Sequence, residues 1–555
     1  MMERLITNIR KVYFHKIYMI LLTLTAICSY GFKIIHPAMG IDDTPYAYYF
    51  EEGLAAVVGR WVLFVLNKFL SLSEFAPFLT DFAAVVLLMI AVTVWGGVFV
   101  SVLGDKVPRY GYWFFSCIFL SCPLIAEVFT YFLHNGIALG YLAVGFSLYG
   151  FREFLIVYQE GMWKKNLRKA IFSVLLLTFA LGCYESFMIV WLTGVLMILW
   201  AECVMGNRKV LGKLCMAAIT AGCGVVLRAV IIKSVIVIWG LSNLQDEAVQ
   251  RSMGELLGWI LEPGAWAEFA MILKRLFVMY GVFGYVYYLI RIFVYAVILL
   301  FVYSIWKSIS QKNGRILAVL IMCFMAAFLL AVVEGKATLY RSAQFLPLFC
   351  GFGFLVASCA VSELTGKLDR KPRLAGGLQG IFVIVAIVFL WNQCADLNHW
   401  FYVDYMKYEC AKEYLLRVAY ELEADYDISK PISFTGEWEN PRGIVESAYV
   451  AYNSETFYRM KRITDPIDEH LLEKFYRGYG VWVAQTPSLS VISWGKNAFG
   501  SDEQIIAFLR FHGHDFLPLI NQTLYQEAEN YAVDLPCFPQ EGSIVDRGDY
   551  ILVHF

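Results

Sequence analysis

The chain has 555 residues, with 45 Lys and Arg against 46 Asp and Glu, for a net charge of −1. Hydrophobic residues make up 59% and charged residues 16%, whereas a soluble domain runs at roughly half and about a quarter. This balance excludes an ordinary cytosolic enzyme, a disordered chain and a nucleic-acid binder with a basic footprint, and it points to an all-α polytopic membrane protein.

A membrane span needs ~20 mostly apolar residues. Runs of that kind lie at 17–35, 78–103, 110–131, 136–156, 170–183, 187–203, 211–239, 288–306, 316–334, 342–362 and 375–393, which predicts about eleven transmembrane helices. The fifth and sixth are short. Only Tyr184-Glu185-Ser186 separates them, so they read as a tilted or broken pair. The first run lacks a small-residue cleavage site and reads as an anchor. Ten of the thirteen cysteines fall in or beside apolar runs, where Cys behaves as a small hydrophobe, and no CxxC occurs, so neither a disulfide framework nor a metal site is expected.

Lys and Arg placement sets the orientation. With the N-terminus inside, 21 of the 45 basic residues fall in six short inner segments, and the opposite orientation leaves the inner loops nearly bare. The loops 36–77 and 240–287 and everything after 393 are then outside. Residues 45–72, with Glu51, Glu52, Arg60 and Lys68 amid apolar residues, suit an amphipathic helix at the outer interface, and 240–287 reads similarly. Such helices either decorate the membrane surface or wall a cavity open to the outer leaflet.

Two domains are expected: 1–393 in the membrane and 394–555 outside. The second carries 25 acidic residues against 13 basic ones. Helix-like stretches at 404–424, 441–452 and 501–512 alternate with β-like runs at 431–435, 480–485 and 549–555, as in a small α/β domain.

Five outer-boundary stretches could carry chemistry. Asp42-Asp43 in GIDDTPYAYY offers a carboxylate to take a proton from a sugar hydroxyl; alternatively the pair complements a helix N-terminus opened by Thr44 and Pro45. Arg60, beside Trp61, suits a phosphate or a lipid headgroup. Glu127, Tyr131 and His134 in PLIAEVFTYFLHNG are spaced by four and three, hence on one helix face. An acidic residue at membrane depth is a functional candidate, or else makes one interhelical hydrogen bond. Glu185 sits between two apolar stretches. The stretch 334–347 holds Glu334, Lys336, Arg341 and Gln344, and suits a lipid phosphate or an ordinary turn. There is no HExxH metal motif, although paired aspartates can hold a divalent ion together with a phosphate.

This set resembles the GT-C class of membrane glycosyltransferases, and more narrowly the bacterial family II glucosyltransferases that add glucose to surface polysaccharide such as O-antigen. The resemblance rests on GIDDTPYAYYFEEG and Gly59-Arg60-Trp61, with support from Pro123 and Glu127, Tyr184-Glu185-Ser186 and the closing DLPCFPQEGSIVDRGDYILVHF. Glu185 stands where the family leads one to expect an amide. The resemblance implies a GT-C-like bundle in a bacterial cytoplasmic membrane. It implies a polyprenyl-phosphate hexose donor, most simply glucose, and a glycan acceptor on the outer side, with no cofactor and no nucleic acid. Asp42 or Asp43 would activate the acceptor. Arg60, Lys336 and Arg341 would hold the donor phosphate, and Glu127, Tyr131, His134, Tyr184 and Glu185 would line the sugar. A flippase or a polymerase of a lipid-linked glycan is the competing reading. A mere anchor for the outer domain would not need so many spans.

Overall fold

In a bilayer, an apolar run satisfies its own backbone groups only as a helix, and each of the eleven runs holds one. The computed structural model describes residues 1–37, 53–70, 76–123, 125, 129, 134–159, 167–207, 209–241, 258–261, 263–267, 269–270, 288–334, 342–367, 372–436 and 501–555. An amphipathic helix α1 (Met2–Tyr13) comes first and buries Leu5, Val12 and Tyr13. α2 (Lys16–Ile35) follows, then two short helices, α3 (Leu54–Val57) and α4 (Trp61–Leu70). The bundle continues through α5 (Pro77–Leu103), α6 (Arg109–Leu120), α7 (His134–Gln159), α8 (Leu167–Cys183), α9 (Phe187–Val204) and α10 (Leu211–Ile238). It closes with α11 (Tyr288–Ser310), α12 (Arg315–Ala326), α13 (Leu329–Glu334), α14 (Leu346–Gly366) and α15 (Pro372–Asp425).

Among the described residues, six helices are long and apolar enough to cross a membrane: Lys16–Ile35, Pro77–Lys106, Phe187–Val204, Leu211–Ile238, Leu346–Gly366 and Pro372–Asn398. They differ in how much they bury. α9 is central, whereas α10 and the first half of α15 leave most of their apolar surface uncovered. Ile381, Ile384, Val388 and Trp391 are all more than half exposed. Water would penalise such a surface and lipid would not.

Inside the bundle the buried indole N–H groups find acceptors, as buried Trp requires. Trp95 donates to the Tyr141 carbonyl (2.9 Å), Trp191 to Ser147 Oγ (3.0 Å) and Trp200 to Ser304 Oγ (2.9 Å). The end that the charge distribution assigns to the inside is tied by basic residues. Lys307 Nζ meets Glu363 Oε1 at 2.6 Å, Lys169 meets Glu153 at 3.4 Å, Lys213 pairs with Glu202, and Arg152 Nη2 donates to the Ser101 carbonyl at 2.6 Å. The basic residues that set the orientation thus also cross-link helices.

Two expectations change. Residues 45–72 do not form one helix. Within the described part, a turn at Val58–Arg60 separates α3 from α4, because Gly59 adopts φ +90°. α6 ends at Leu120, short of residue 131, and a helix starts at His134; Glu127 and Tyr131, expected on one face with His134, lie outside the described residues.

At 54 residues, α15 is about 80 Å long, far more than the ~30 Å hydrocarbon core. Residue 393, where the composition shifts, lies within it. Cys394, Leu397 and Phe401 pack into the bundle core, whereas Ala411, Leu415, Val418 and Leu422 pack into a second core. That second core belongs to a four-stranded sheet of order β2-β1-β4-β3. β1 (Pro431–Thr435) runs parallel to both β2 (Leu517–Pro518) and β4 (Ile551–His554). β3 (Ile544–Asp546) pairs antiparallel with β4, in the register Val545↔Leu552. α16 (Asp502–Phe511) is pinned through Asp502, whose carboxylate accepts from Phe434 N (3.1 Å) and Ser433 Oγ (3.2 Å). α17 (Gln522–Ala532) starts at Asn521, whose side chain caps Thr523 N and Leu524 N. The expected elements at 441–452 and 480–485 lie outside the described residues.

On this sheet, Lys430 Nζ contacts both Asp546 oxygens (2.8 and 2.7 Å) and Gly548 N donates to one of them (2.8 Å). The Lys430 ammonium first, and then the Gly548 N–H, hold the Asp546 carboxyl below the ordinary aspartate range. A depressed carboxyl stabilises the fold above its unfolded pKa, and that stability is lost as pH falls through the folded one. Lys430→Met should therefore lower the unfolding temperature of the C-terminal unit at neutral pH. The gap to wild type should close as pH drops below about 4, read by circular dichroism across a pH series.

Candidate active site

The site is built around the turn between α3 and α4. Arg60 N bonds the Ala55 carbonyl (2.7 Å) and Gly59 N the Ala56 carbonyl (3.0 Å). These are the two bonds of a Schellman ending, which requires a left-handed residue at Gly59. The next residue, Arg60, is thereby aimed away from the helix. Its guanidinium lies 4.3 Å from the Tyr184 ring centroid, a cation–π contact. Its Nη2 is 3.7 Å from Glu185 Oε1, an ion pair too long for a direct hydrogen bond. Trp61 lies on the last turn of α8 at Gly182, where any Cβ would overlap its indole.

Tyr184, Glu185 and Ser186 form the break between α8 and α9, at the end of the bundle assigned to the outside. A third helix locks break and turn together. Arg228, in the outer half of α10, donates from Nε to the Leu181 carbonyl (3.0 Å) and from Nη2 to the Gly59 carbonyl (3.2 Å). Leu181 is in the last turn of α8, where helix carbonyls lack intrahelical partners and carry partial negative charge. Arg228 is within electrostatic reach of both Glu185 and Arg60. Arg60 thus pairs with the Glu185 carboxylate, and Arg228 bonds backbone carbonyls beside it. Around them Arg60 Nε, Trp61 Nε1, Glu185 Oε2 and Ser186 Oγ are buried without a hydrogen-bond partner among the described residues.

Two more stretches converge here. The start of α7 packs on α4 and α9, with Gly136 against Leu63 and Gly140 against Phe187. The Tyr141 ring stands edge-on to Phe187 at 5.2 Å, and its hydroxyl donates to the Gln344 carbonyl at 2.6 Å. The structure therefore brings together Gly59-Arg60-Trp61, Tyr184-Glu185-Ser186 and the start of α7 at Gly136 and Gly140, and Tyr141 on that helix holds the Gln344 carbonyl. Asp42, Asp43, Glu127, Tyr131, Lys336 and Arg341 lie outside the described residues, as does the His134 side chain.

Sequence reasoning passed over Arg228. Its signal was plain: a guanidinium inside the apolar run 211–239, which deserves a functional reading by default. Lys33, in the last turn of α2, and Asp81, near the start of α5, are also absent from the sequence reading, and both are buried.

Gly182→Ala tests the packing beneath Arg60. The added methyl must displace the Trp61 ring, and overpacking of this kind costs about 1–3 kcal/mol. A lower unfolding temperature in detergent, with reduced activity, is the expected result.

These features define a helical membrane protein with a charged site at one end of its bundle. Residues 31–358 match the family model described as Glucosyl transferase GtrII, which covers more than half of the chain, and the protein belongs to that family. The match runs from α2 into α14 and contains Arg60, Glu185, Arg228 and Gln344. No curated protein and no solved structure matches the chain.

Proposed function

We propose that the protein is a GT-C-type transferase that moves glucose from a polyprenyl-phosphate carrier to a glycan on the outer side of a bacterial cytoplasmic membrane. Beyond family membership, the observation that carries this reading is the Arg60–Glu185–Arg228 cluster. Arg60 beside the Glu185 carboxylate and Arg228 on the neighbouring Leu181 and Gly59 carbonyls leave positive charge in excess, which suits a carrier-lipid phosphate.

In this reading Asp43 or Asp42 takes the proton of the acceptor hydroxyl. The hydroxyl oxygen bonds to the anomeric carbon, and the bond from that carbon to the phosphate oxygen breaks. The electron pair leaves on the lipid phosphate. Its growing charge is met by Arg60 and Arg228, joined by Lys336 and Arg341. Preorganised donors of this kind contribute ~3 kcal/mol each when they act on charge that develops in the transition state. Tyr184 and Glu185 orient Arg60, while Glu127, Tyr131 and His134 line the sugar. The C-terminal unit shelters the acceptor. No cofactor enters this reading.

The test uses the purified full-length protein in nanodiscs with polyprenyl-phosphate [14C]glucose, UDP-[14C]glucose and a lipid-linked glycan. Label passing to the glycan from the polyprenyl donor alone, with release of polyprenyl phosphate, is expected. Transfer from the nucleotide sugar, or movement of the intact lipid-linked glycan across the membrane without transfer, would overturn it.

A further inference from the structure

We infer that Gln344 is a specificity-determining residue, whose side-chain amide hydrogen-bonds a ring hydroxyl of the transferred sugar; this rests on the transferase reading above. Gln344 is only 4% exposed, yet both its Oε1 and its Nε2 are buried without a hydrogen-bond partner among the described residues. Its position is not loose. The Tyr141 hydroxyl holds its carbonyl at 2.6 Å, and its neighbours Ala343, Phe345 and Leu346 are buried. The ring of that Tyr141 packs edge-on against Phe187, the residue that follows the Tyr184-Glu185-Ser186 break.

A buried amide with neither group satisfied lowers stability, and an apolar residue of similar size would remove the penalty. A fold keeps such a group where function uses it. The amide also restricts the ligand class. It presents one acceptor and one donor side by side. A sugar hydroxyl, itself donor and acceptor, can use both. A phosphate can use only the donor, and a lipid chain neither. Of the donor's hexose, phosphate and lipid chain, the hexose is the part that fits.

The experiment compares full-length wild type, Gln344→Met and Gln344→Glu in nanodiscs. The donors are polyprenyl-phosphate glucose and its 2-, 3-, 4- and 6-deoxy analogues. Gln344→Met should unfold at a higher temperature than wild type, yet lose about 100-fold in kcat/KM on the glucose donor, as when a site built to bond a hydroxyl loses its partner. Its preference for glucose over one deoxy analogue should also shrink about tenfold or more. Gln344→Glu keeps the size but not the donor N–H, and should lose discrimination against the same analogue even if Gln344→Met folds poorly. If both variants discriminate among the donors as wild type does, the amide is satisfied by water alone and the inference fails while the transferase reading stands. If wild type uses no polyprenyl-phosphate hexose, both fall.

Discussion

Asp43→Asn is expected to lower hexose transfer by about 10²–10⁴-fold, the range that a lost general base costs, without changing the unfolding temperature. The substitution keeps the shape of the side chain and removes only its capacity to accept a proton. The described chain brackets the loop that carries Asp43. At one end the His36 ring lies 5.1 Å from that of Tyr405 on α15. At the other, Gly53 leads into α3, whose following turn Arg228 holds. The ten peptide units between Asp43 and Gly53 span at most about 35 Å, so the carboxylate has the reach to meet an acceptor at the Arg60 cluster. The readout is the surface-glycan repeat mass in a deletion strain, together with transfer by purified protein. Full activity in Asp43→Asn would move the base to Asp42 or Glu127.

The helices of the bundle could be read from the sequence because local hydrophobicity dictates them: 20 apolar residues in lipid have no alternative to helix. The broken pair at Tyr184-Glu185-Ser186 was equally visible, since polar residues interrupt an apolar run. Arg60 and Glu185 were each visible as charges at a boundary. Their pairing was not, because 124 intervening residues fold before the two meet, and no period in the sequence encodes that contact. Arg228 was hidden differently. It sits in a run whose apolar neighbours dominate any window average, and only a search for single charges within spans would have flagged it. The end of α3 was misjudged because the amphipathic pattern of 45–72 carries through Gly59, while the backbone reverses there. α17 is absent from the sequence reading because its helically spaced inner face, Leu524, Tyr525, Ala528 and Ala532, is made mostly of small or polar-tipped residues; the capping Asn521 is a second signal. α15 exceeded its predicted span because the same helix continues from the lipid-facing bundle into the core of the sheet, where Tyr414 and Tyr426 hydroxyls donate to the Phe538 and Ile544 carbonyls at 2.8 Å.

Arg228→Met should lower kcat/KM about 10²–10³-fold, the loss seen when one preorganised donor is removed, and Arg228→Lys should recover only part of it. Arg228 has two separable roles. Its charge adds to that of Arg60, and its planar fork bonds the Leu181 and Gly59 carbonyls at once. A lysine keeps the charge but, as a compact ammonium, cannot reproduce that fork. Losing one charge-assisted hydrogen bond costs about 1.5–3 kcal/mol, or roughly 10–150-fold in rate if the bond acts through the transition state. The two carbonyls belong to the α3–α4 turn and to the last turn of α8, so the fork fixes the distance between Arg60 and the Tyr184–Glu185 break. Arg228 thus positions Arg60 as well as adding charge, and the division between kcat and KM tells the two roles apart. If the fork holds Arg60 in line with the leaving phosphate, Arg228→Lys loses kcat with KM for the donor nearly unchanged. If the charge alone matters, Arg228→Lys matches wild type, and Arg228→Met weakens donor binding in a manner that added salt mimics. Equal losses in both variants, with a matching fall in unfolding temperature, would reduce Arg228 to a structural clamp and leave Arg60 to meet the phosphate without it.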